Sequence, residues 1–233
     1  MEALIATHVR DLREGDDASK TAAAVALCRL TWSPYTPENK VLIAQAGGIE
    51  PLVQLLHDGS AEAKAKAAKA LGTISWNADN RVLIAEASGI PALVELLRNQ
   101  SEYYKIGGPA LALHNLACNN AANKVAIAEA GGIPLLVELV REGGYITTAS
   151  LALGHLAHNN DANAVAVAVA LGFDALVQLA RRGRVNFKGY TLVPNAGLTA
   201  KRKAALVVAQ LIEAAAPRTR VSRYIKAAIG SYL

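Results

Sequence analysis

Hydrophobic and polar positions along this chain follow a pattern that recurs about every forty residues. Four stretches align with one another: NKVLIAQAGGIEPLVQLL from Asn39, NRVLIAEASGIPALVELL from Asn80, NKVAIAEAGGIPLLVELV from Asn123 and NAVAVAVALGFDALVQLA from Asn163. They begin 41, 43 and 40 residues apart. Alanine and leucine supply much of the apolar content, which suits closely packed helices. The pattern predicts a helical solenoid, in which each unit buries its apolar face against its neighbours.

Glycine and proline mark the turns inside each unit. A pair of small residues follows a short apolar helix where a left-handed C-cap is needed, in Gly47-Gly48, Ser88-Gly89 and Gly131-Gly132. A proline then starts a second helix, because its missing N–H costs nothing in the first turn; the prolines are Pro51, Pro91 and Pro134. A polar turn and a third helix complete the predicted unit.

The third helices end in a shared signature: ALCRLTW from Ala26, ALGTISW from Ala70, ALHNLAC from Ala112 and ALGHLAH from Ala152. The string ALHNLACNNAANKVAIAEAGGIPLLVELV resembles an armadillo repeat, the unit of beta-catenin, the importin-alpha adaptors and the plant U-box proteins. The resemblance covers nearly the whole chain. The two-helix HEAT repeat is the main alternative, and the short helix before each glycine pair argues against it.

The resemblance implies an all-α fold, a right-handed superhelix of about five units. The expected units are residues 1–38, 39–79, 80–122, 123–162 and 163–216. The first lacks the short first helix, and the last carries the insertion GRVNFKGYTLVPNAGL before its third helix resumes at Thr199. Residues 1–216 are thus expected to form one armadillo domain, followed by a capping helix over residues 217–233.

In the armadillo family the third helices line a concave groove, where an asparagine ladder often holds an extended peptide. At about 100° per residue, one stripe of the second unit's third helix contains Lys66, Lys69, Thr73, Trp76 and Asn77, while Ala67, Leu71, Ile74 and Ala78 face the core. Transferred to the other units, the stripe predicts a groove formed by Val25, Arg29, Trp32, Lys66, Lys69, Thr73, Trp76, Asn77, Leu111, Asn115, Asn119, Leu151, His155, Asn159, Lys203, Leu206 and Gln210.

The ladder asparagine is kept only at Asn115; Arg29, Thr73, His155 and Gln210 replace it elsewhere. Three further rows have two interpretations each. The row Ser33, Asn77, Asn119 and Asn159 is either a second amide ladder or a set of helix C-caps. The row Val25, Lys69, Leu111, Leu151 and Leu206 either offers apolar contacts or packs between helices. Trp32 and Trp76 either anchor a ligand or cover helix ends. The tryptophan row of the importin-alpha adaptors is absent, so nuclear-localisation peptides are not expected.

Composition and motifs argue against an enzyme. No P-loop lysine and serine accompany the glycine pairs, and Cys118, His155 and His158 lack a fourth ligand for a metal site. We expect no cofactor, no metal and no small-molecule substrate. Cys28 and Cys118 show no CxxC spacing, which predicts free thiols and, with no signal peptide at the N-terminus, a cytoplasmic or nuclear location. The longest apolar stretch is too short to span a bilayer, so membrane insertion is not expected.

The predicted function is a non-enzymatic module that binds a protein or peptide ligand in its groove. Four cations on the stripe (Arg29, Lys66, Lys69 and Lys203) outnumber Glu62 and Glu213, so we expect a ligand with acidic or phosphorylated positions. The net charge is +5, but the sequence lacks the clustered basic surface that nucleic-acid binding needs. The alternatives are a structural protein that self-associates through its ends or convex face, the substrate-recognition part of a ubiquitin ligase, and a transport adaptor.

Overall fold

The described part of the protein is built mainly from a recurring set of three helices. The computed structural model describes residues 1–32, 37–99, 108–142, 146–171, 185–187 and 190–192. The helices within these ranges are α1 (Glu2–Glu14), α2 (Asp17–Trp32), α3 (Glu38–Gln45), α4 (Ile49–Asp58), α5 (Ala61–Ile74), α6 (Ala78–Glu86), α7 (Gly89–Arg98), α8 (Gly108–Ala117), α9 (Ala121–Glu129), α10 (Gly132–Glu142), α11 (Ile146–Ala157) and α12 (Asp161–Leu171). None of these helices is long and apolar enough to cross a bilayer.

The order of helices matches the predicted repeat. Short first helices are α3, α6, α9 and α12, second helices are α1, α4, α7 and α10, and third helices are α2, α5, α8 and α11. The first unit begins directly with its second helix, as predicted. The chain divides into two compact units, Met1–Leu135 and Leu136–Leu233, and each is described by itself. The third helix expected from Thr199, the capping helix over residues 217–233 and the groove residues Lys203, Leu206 and Gln210 lie outside the described residues.

Small side chains allow the third helices of the first unit to pack closely. Helix α5 packs against α2, α4 and α8, and its alanines at 63, 67, 68 and 70 are fully buried. Larger side chains at equivalent positions are also fully buried, namely Leu27, Leu71 and Leu113 on third helices and Leu52 and Leu93 on second helices. Of the four predicted core residues on this helix, three are buried. Ala78 is exposed, because the third helix ends at Ile74 and Ala78 is the first residue of α6.

The predicted left-handed turns are confirmed. Gly47 and Gly131 have φ values of +72° and +82°, and Ser88 takes the same conformation at +62°. The second residue of each pair is glycine for a different reason. A Cβ at Gly89 would lie 2.7 Å from the carbonyl oxygen of Ile84, which is too close for two non-bonded atoms. The first position therefore needs a positive φ, and the second needs the absence of a side chain.

Replacement of Ser88 by glycine is expected to stabilise the protein. The serine is exposed, makes no side-chain cap, and holds a left-handed conformation that is costly for a residue with a Cβ. We expect Ser88→Gly to raise the free energy of unfolding by about 0.5–1 kcal/mol in urea titrations. Ser88→Ala is the control, since alanine keeps the Cβ and its strain. An equal gain from both variants would show that the backbone conformation is not the cause.

Two short strands lie in the predicted insertion. Strands β1 (Val185–Phe187) and β2 (Tyr190–Leu192) form an antiparallel hairpin, with Phe187 opposite Tyr190. The sequence pattern indicates only a break in the helices here and predicts no strand. The described segments of the four preceding units form helices.

Candidate functional site

Helices α2, α5 and α8 lie side by side in the first unit, and exposed side chains of the predicted stripe lie on α2 and toward the end of α5. Arg29 and Trp32 on α2, Lys69 on α5 and Trp76 just after it are all exposed. The two tryptophans are 62% and 67% exposed, more than the other large hydrophobic residues described. Tryptophan side chains are costly to leave in water and often mark binding surfaces. We call this side of the three helices the third-helix face.

Three cations surround one end of this face. The Nζ atom of Lys69 lies 5.0 Å from the centre of the Trp32 ring, a cation–π contact that joins α5 to α2. Arg29 precedes Trp32 by one helical turn, and Lys66 precedes Lys69 by one turn. In the described part of the chain, none of the three cations forms an ion pair with an acidic residue. We call Arg29, Lys66 and Lys69 the cationic cluster.

The thiol of Cys28 shows how closely the cationic cluster is grouped. Burial raises the pKa of Cys28, while Lys69, Lys66 and Arg29 each lower it through their charges without cancelling the effect of burial. All three cations therefore lie within electrostatic range of one buried atom. A raised pKa keeps the thiol protonated near neutral pH, so Cys28 lacks the thiolate character of a catalytic cysteine. Neither cysteine of the chain is in a disulfide, as predicted.

The two central ladder residues hold neighbouring helices together. Thr73 is only 5% exposed, and its Oγ1 lies 2.6 Å from the Oγ1 of Thr31 on α2. Asn115 is 8% exposed, and its Nδ2 donates to the carbonyl of Gly72 on α5 over 2.8 Å. The sequence predicts that these ladder residues contact the ligand, and it does not predict that they bond to a neighbouring helix. Thr73 in particular is too buried to contact a peptide through its hydroxyl.

The remaining rows also have clear positions. Asn77 caps the N-terminus of α6 by accepting from the Asn80 amide over 3.0 Å. Asn119 and Asn159 follow the ends of α8 and α11 with φ values of +50° and +52°, which fits the C-capping interpretation rather than a ligand ladder. Ser33 lies outside the described residues.

The apolar row divides between buried and exposed positions. Val25 and Leu111 are half-buried. The side chain of Leu111 lies across Gly72, 3.3 Å from where a Cβ would stand there. In the second unit, Leu151 is exposed and His155 half-buried. The structure therefore brings together the predicted residues of α2, α5 and α8, and it describes those of α11 separately.

A second row of asparagines recurs in the aligned stretches, and the sequence alone assigns it no function. Asn39, Asn80, Asn123 and Asn163 begin the four aligned stretches and are nearly fully buried. Asn80 Nδ2 donates to the carbonyls of Lys40 at 2.9 Å and Ile74 at 3.3 Å. Asn123 Nδ2 bonds to the carbonyls of Arg81 and Leu116 in the same way. Each of these two amides therefore joins a first helix to the preceding repeat. The recurrence of asparagine at the start of every aligned stretch is the sequence signal from which this role could have been predicted.

Arg81 fixes the backbone beside Trp76. Its guanidinium donates to the carbonyls of Ser75 and Trp76, and also to that of Cys118 in the next repeat. The arginine thereby satisfies carbonyls at the ends of two third helices and places a positive charge at their negative ends. Trp76 is thus exposed on a backbone that is held in place.

Among the described residues, no group of three or more His, Cys, Asp or Glu side chains could hold a metal ion.

Comparison with known proteins agrees with this geometry. A family model described as the Armadillo/beta-catenin-like repeat matches residues 36–76. An engineered protein of known crystal structure is 26% identical over 97% of this chain and 85% of its own, with a TM-score of 0.67. A designed armadillo repeat protein is 22% identical over 98% of this chain and 100% of its own, with a TM-score of 0.68.

A further solved structure, a designed armadillo repeat protein in complex with the peptide (KR)4, is 22% identical over 98% of each chain, with a TM-score of 0.68. The search of curated proteins found no match. The fold is that of an armadillo solenoid.

Proposed function

Because this chain is an armadillo-repeat protein, we propose that it binds an extended segment of another protein across the third-helix face, and that this segment is acidic or phosphorylated. The observation that carries the proposal is the pairing of two exposed tryptophans with three cations that form no ion pair with an acidic residue in the described part of the chain. Armadillo solenoids serve as binding scaffolds, so this face is proposed as a binding surface rather than as a catalytic centre. We propose a cytoplasmic or nuclear location.

The electrostatics of the face support an anionic ligand. The designed neighbour was solved with a peptide of alternating lysine and arginine, whereas the face of this chain is itself basic at α2 and α5. A basic peptide would meet like charges from Arg29, Lys66 and Lys69, while a carboxylate or phosphate would gain charge-assisted hydrogen bonds. The fold is shared with that neighbour, and the expected ligand charge is opposite.

The tryptophans support an extended ligand that lies across successive helices. Trp32 and Trp76 occupy equivalent positions in adjacent repeats, so one peptide contacts both only if it runs across α2 and α5. Large aromatic side chains supply most of the binding energy in many interfaces. The buried contacts Thr31–Thr73 and Asn115–Gly72 hold the helices in register beneath the peptide.

Replacement of two cations is expected to weaken binding of an acidic peptide. We expect the Arg29→Ala/Lys69→Ala variant to lose about tenfold in affinity for a fluorescein-labelled Asp/Glu peptide, which corresponds to about 1.4 kcal/mol. Fluorescence anisotropy at two salt concentrations measures it, because binding through exposed charges weakens as salt rises. A (KR)4 peptide is measured in parallel.

The control variant is Arg10→Ala/Lys20→Ala, which removes the same net charge away from the face. Arg10 lies on α1, and Lys20 lies on α2 about half a turn of angle away from Arg29. Tighter binding of the basic peptide, or equal losses from both double variants, would contradict the proposed ligand.

Self-association through the repeat ends remains the alternative. Met1 and Leu4 at the start of α1 are 60% and 46% exposed, so this end presents apolar side chains. Light scattering on the binding samples separates the two functions. A mass that falls on dilution, together with no peptide binding, would favour assembly.

A further inference from the structure

We infer that the third-helix face contains two neighbouring subsites of different chemistry, an anion subsite at Trp32 and an apolar subsite at Trp76. The peptide selected would carry a phosphorylated side chain two or three residues from a large apolar one. This inference rests on the proposed function and adds to it the chemical class and the spacing of the recognised residues.

The two tryptophans are equivalent in the repeat, but their neighbours are not. Lys69 lies over the ring of Trp32, and the residue equivalent to Lys69 in the next repeat is Leu111. Leu111 lies across Gly72, one helical turn before Trp76 on the same segment. A cation therefore lies over the first tryptophan, and an aliphatic side chain holds the equivalent position one repeat later.

The anion subsite has the donors that a phosphate group needs. Lys69 lies 5.0 Å from the centre of the Trp32 ring. Arg29 lies one helical turn before Trp32, and Lys66 lies one turn before Lys69. None of the three cations has an ion pair with the acidic residues described. A phosphorylated side chain carries up to two negative charges and three acceptor oxygens, whereas a carboxylate carries one charge and two oxygens. Three cations match the larger anion. Glu62, the acidic stripe residue of α5, lies one turn before Lys66 and is itself exposed.

The described stripe residues of the repeat that follows Trp76 carry no charge: they are Leu111 and Asn115 on α8 and Cys118 just after it. Arg81 lies beside Trp76, but its guanidinium donates to three backbone carbonyls. Trp76 is 67% exposed above a backbone carbonyl that Arg81 holds. An apolar ligand side chain that covers this ring removes both surfaces from water.

The uneven distribution of cations along the face also favours a peptide over a single-stranded nucleic acid. A nucleic acid carries a phosphate at every nucleotide and needs cations along its whole path. Here three cations with no ion pair to a described acidic residue accompany Trp32, whereas Arg81, the described cation beside Trp76, is bound to three backbone carbonyls. A peptide with one phosphorylated residue and one apolar residue matches this distribution.

Helix packing sets the spacing between the two recognised residues. Neighbouring packed helices lie about 8–10 Å apart, and an extended peptide advances about 3.3 Å per residue. A peptide therefore passes from one subsite to the next in two or three residues. Seven residues are too many for an extended segment that fills both.

The test uses the full chain and labelled twelve-residue peptides of one composition. In each, a phosphoserine is separated from a leucine by two, three or seven residues; matched peptides carry serine instead of phosphoserine or glycine instead of leucine. We expect the two- and three-residue spacings to bind at least about tenfold tighter than the seven-residue spacing. Oligothymidylate is the nucleic-acid probe.

Two variants assign each peptide feature to its subsite. Lys69→Leu should lose the preference for phosphoserine over serine and keep the preference for leucine over glycine. Trp76→Ala should do the reverse. Both side chains are exposed, so circular dichroism is expected to be unchanged, and Arg10→Ala is the control.

The failures are distinguishable. Equal binding of all phosphopeptides whatever their spacing, with normal loss in the Arg29→Ala/Lys69→Ala variant, overturns the two subsites and leaves the proposed function standing. Absence of binding by every acidic peptide overturns both. Oligothymidylate binding tighter than any peptide also overturns both.

Discussion

The Asn80→Ala variant is expected to lose about 2–3 kcal/mol of unfolding free energy, measured by urea denaturation followed by circular dichroism. Asn80 is 2% exposed, and its Nδ2 donates to two backbone carbonyls, one in α3 and one at the end of α5. Alanine removes both bonds and leaves a cavity where the amide stood. Asp in the same place should be worse, because a buried carboxylate would face the two carbonyl oxygens.

Asn77→Ala is the matched control for this prediction. Asn77 is an asparagine too, but it is half-buried and its side chain makes one local hydrogen bond, in the N-terminal turn of α6. Loss of such a cap costs about 1 kcal/mol. If Asn80→Ala costs no more than Asn77→Ala, the bond between repeats contributes little beyond local capping.

A large loss is also expected from Gly132→Ala. A Cβ at this position would lie 2.8 Å from Cγ2 and 2.9 Å from the carbonyl oxygen of Ile127, in the preceding first helix. The oxygen belongs to the backbone and cannot rotate away, so the first and second helices of the repeat must separate. We expect about 2–3 kcal/mol, within the range for overpacked interiors, from the same urea titrations.

Gly131→Ala provides the comparison within the same turn. Gly131 has a φ of +82°, but a Cβ there would meet only the Nη2 of Arg98, at 3.9 Å. The cost is then that of a left-handed alanine, about 1 kcal/mol. If Gly131→Ala proved the more damaging of the two, backbone conformation rather than close approach would control this turn.

Local chemistry made the helices and turns of the repeat predictable. The apolar spacing, the glycine pairs and the prolines each act within a few residues, and each predicted feature is found in α3–α4, α6–α7 and α9–α10. Ser88 follows the same turn pattern. It takes a positive φ at the position that glycine holds in the two other turns, although serine does not favour that conformation. The exposed tryptophans and cations could be assigned to one stripe for the same reason.

Contacts between repeats could not be predicted in this way. Thr73 and Asn115 share the stripe with Trp76, but their depth depends on Thr31 and Gly72, 42 and 43 residues away. Helical angle assigns a direction to a side chain and not its distance from a neighbouring helix. The asparagines that begin each stretch were overlooked for a related reason, since an asparagine among polar residues resembles a surface position until its carbonyl partner is known.

The bonds made by Asn80 and Asn123 have a consequence for how such a chain changes in length. Asn80 bonds to the carbonyl of Lys40, and Asn123 bonds to the carbonyl of Arg81, the equivalent residue one repeat later. Because the acceptor is a main-chain carbonyl, it is offered whatever side chain stands there. The two junctions are therefore interchangeable, and gene duplication or deletion of the repeat over residues 80–122 leaves the new junction with a matching donor and acceptor.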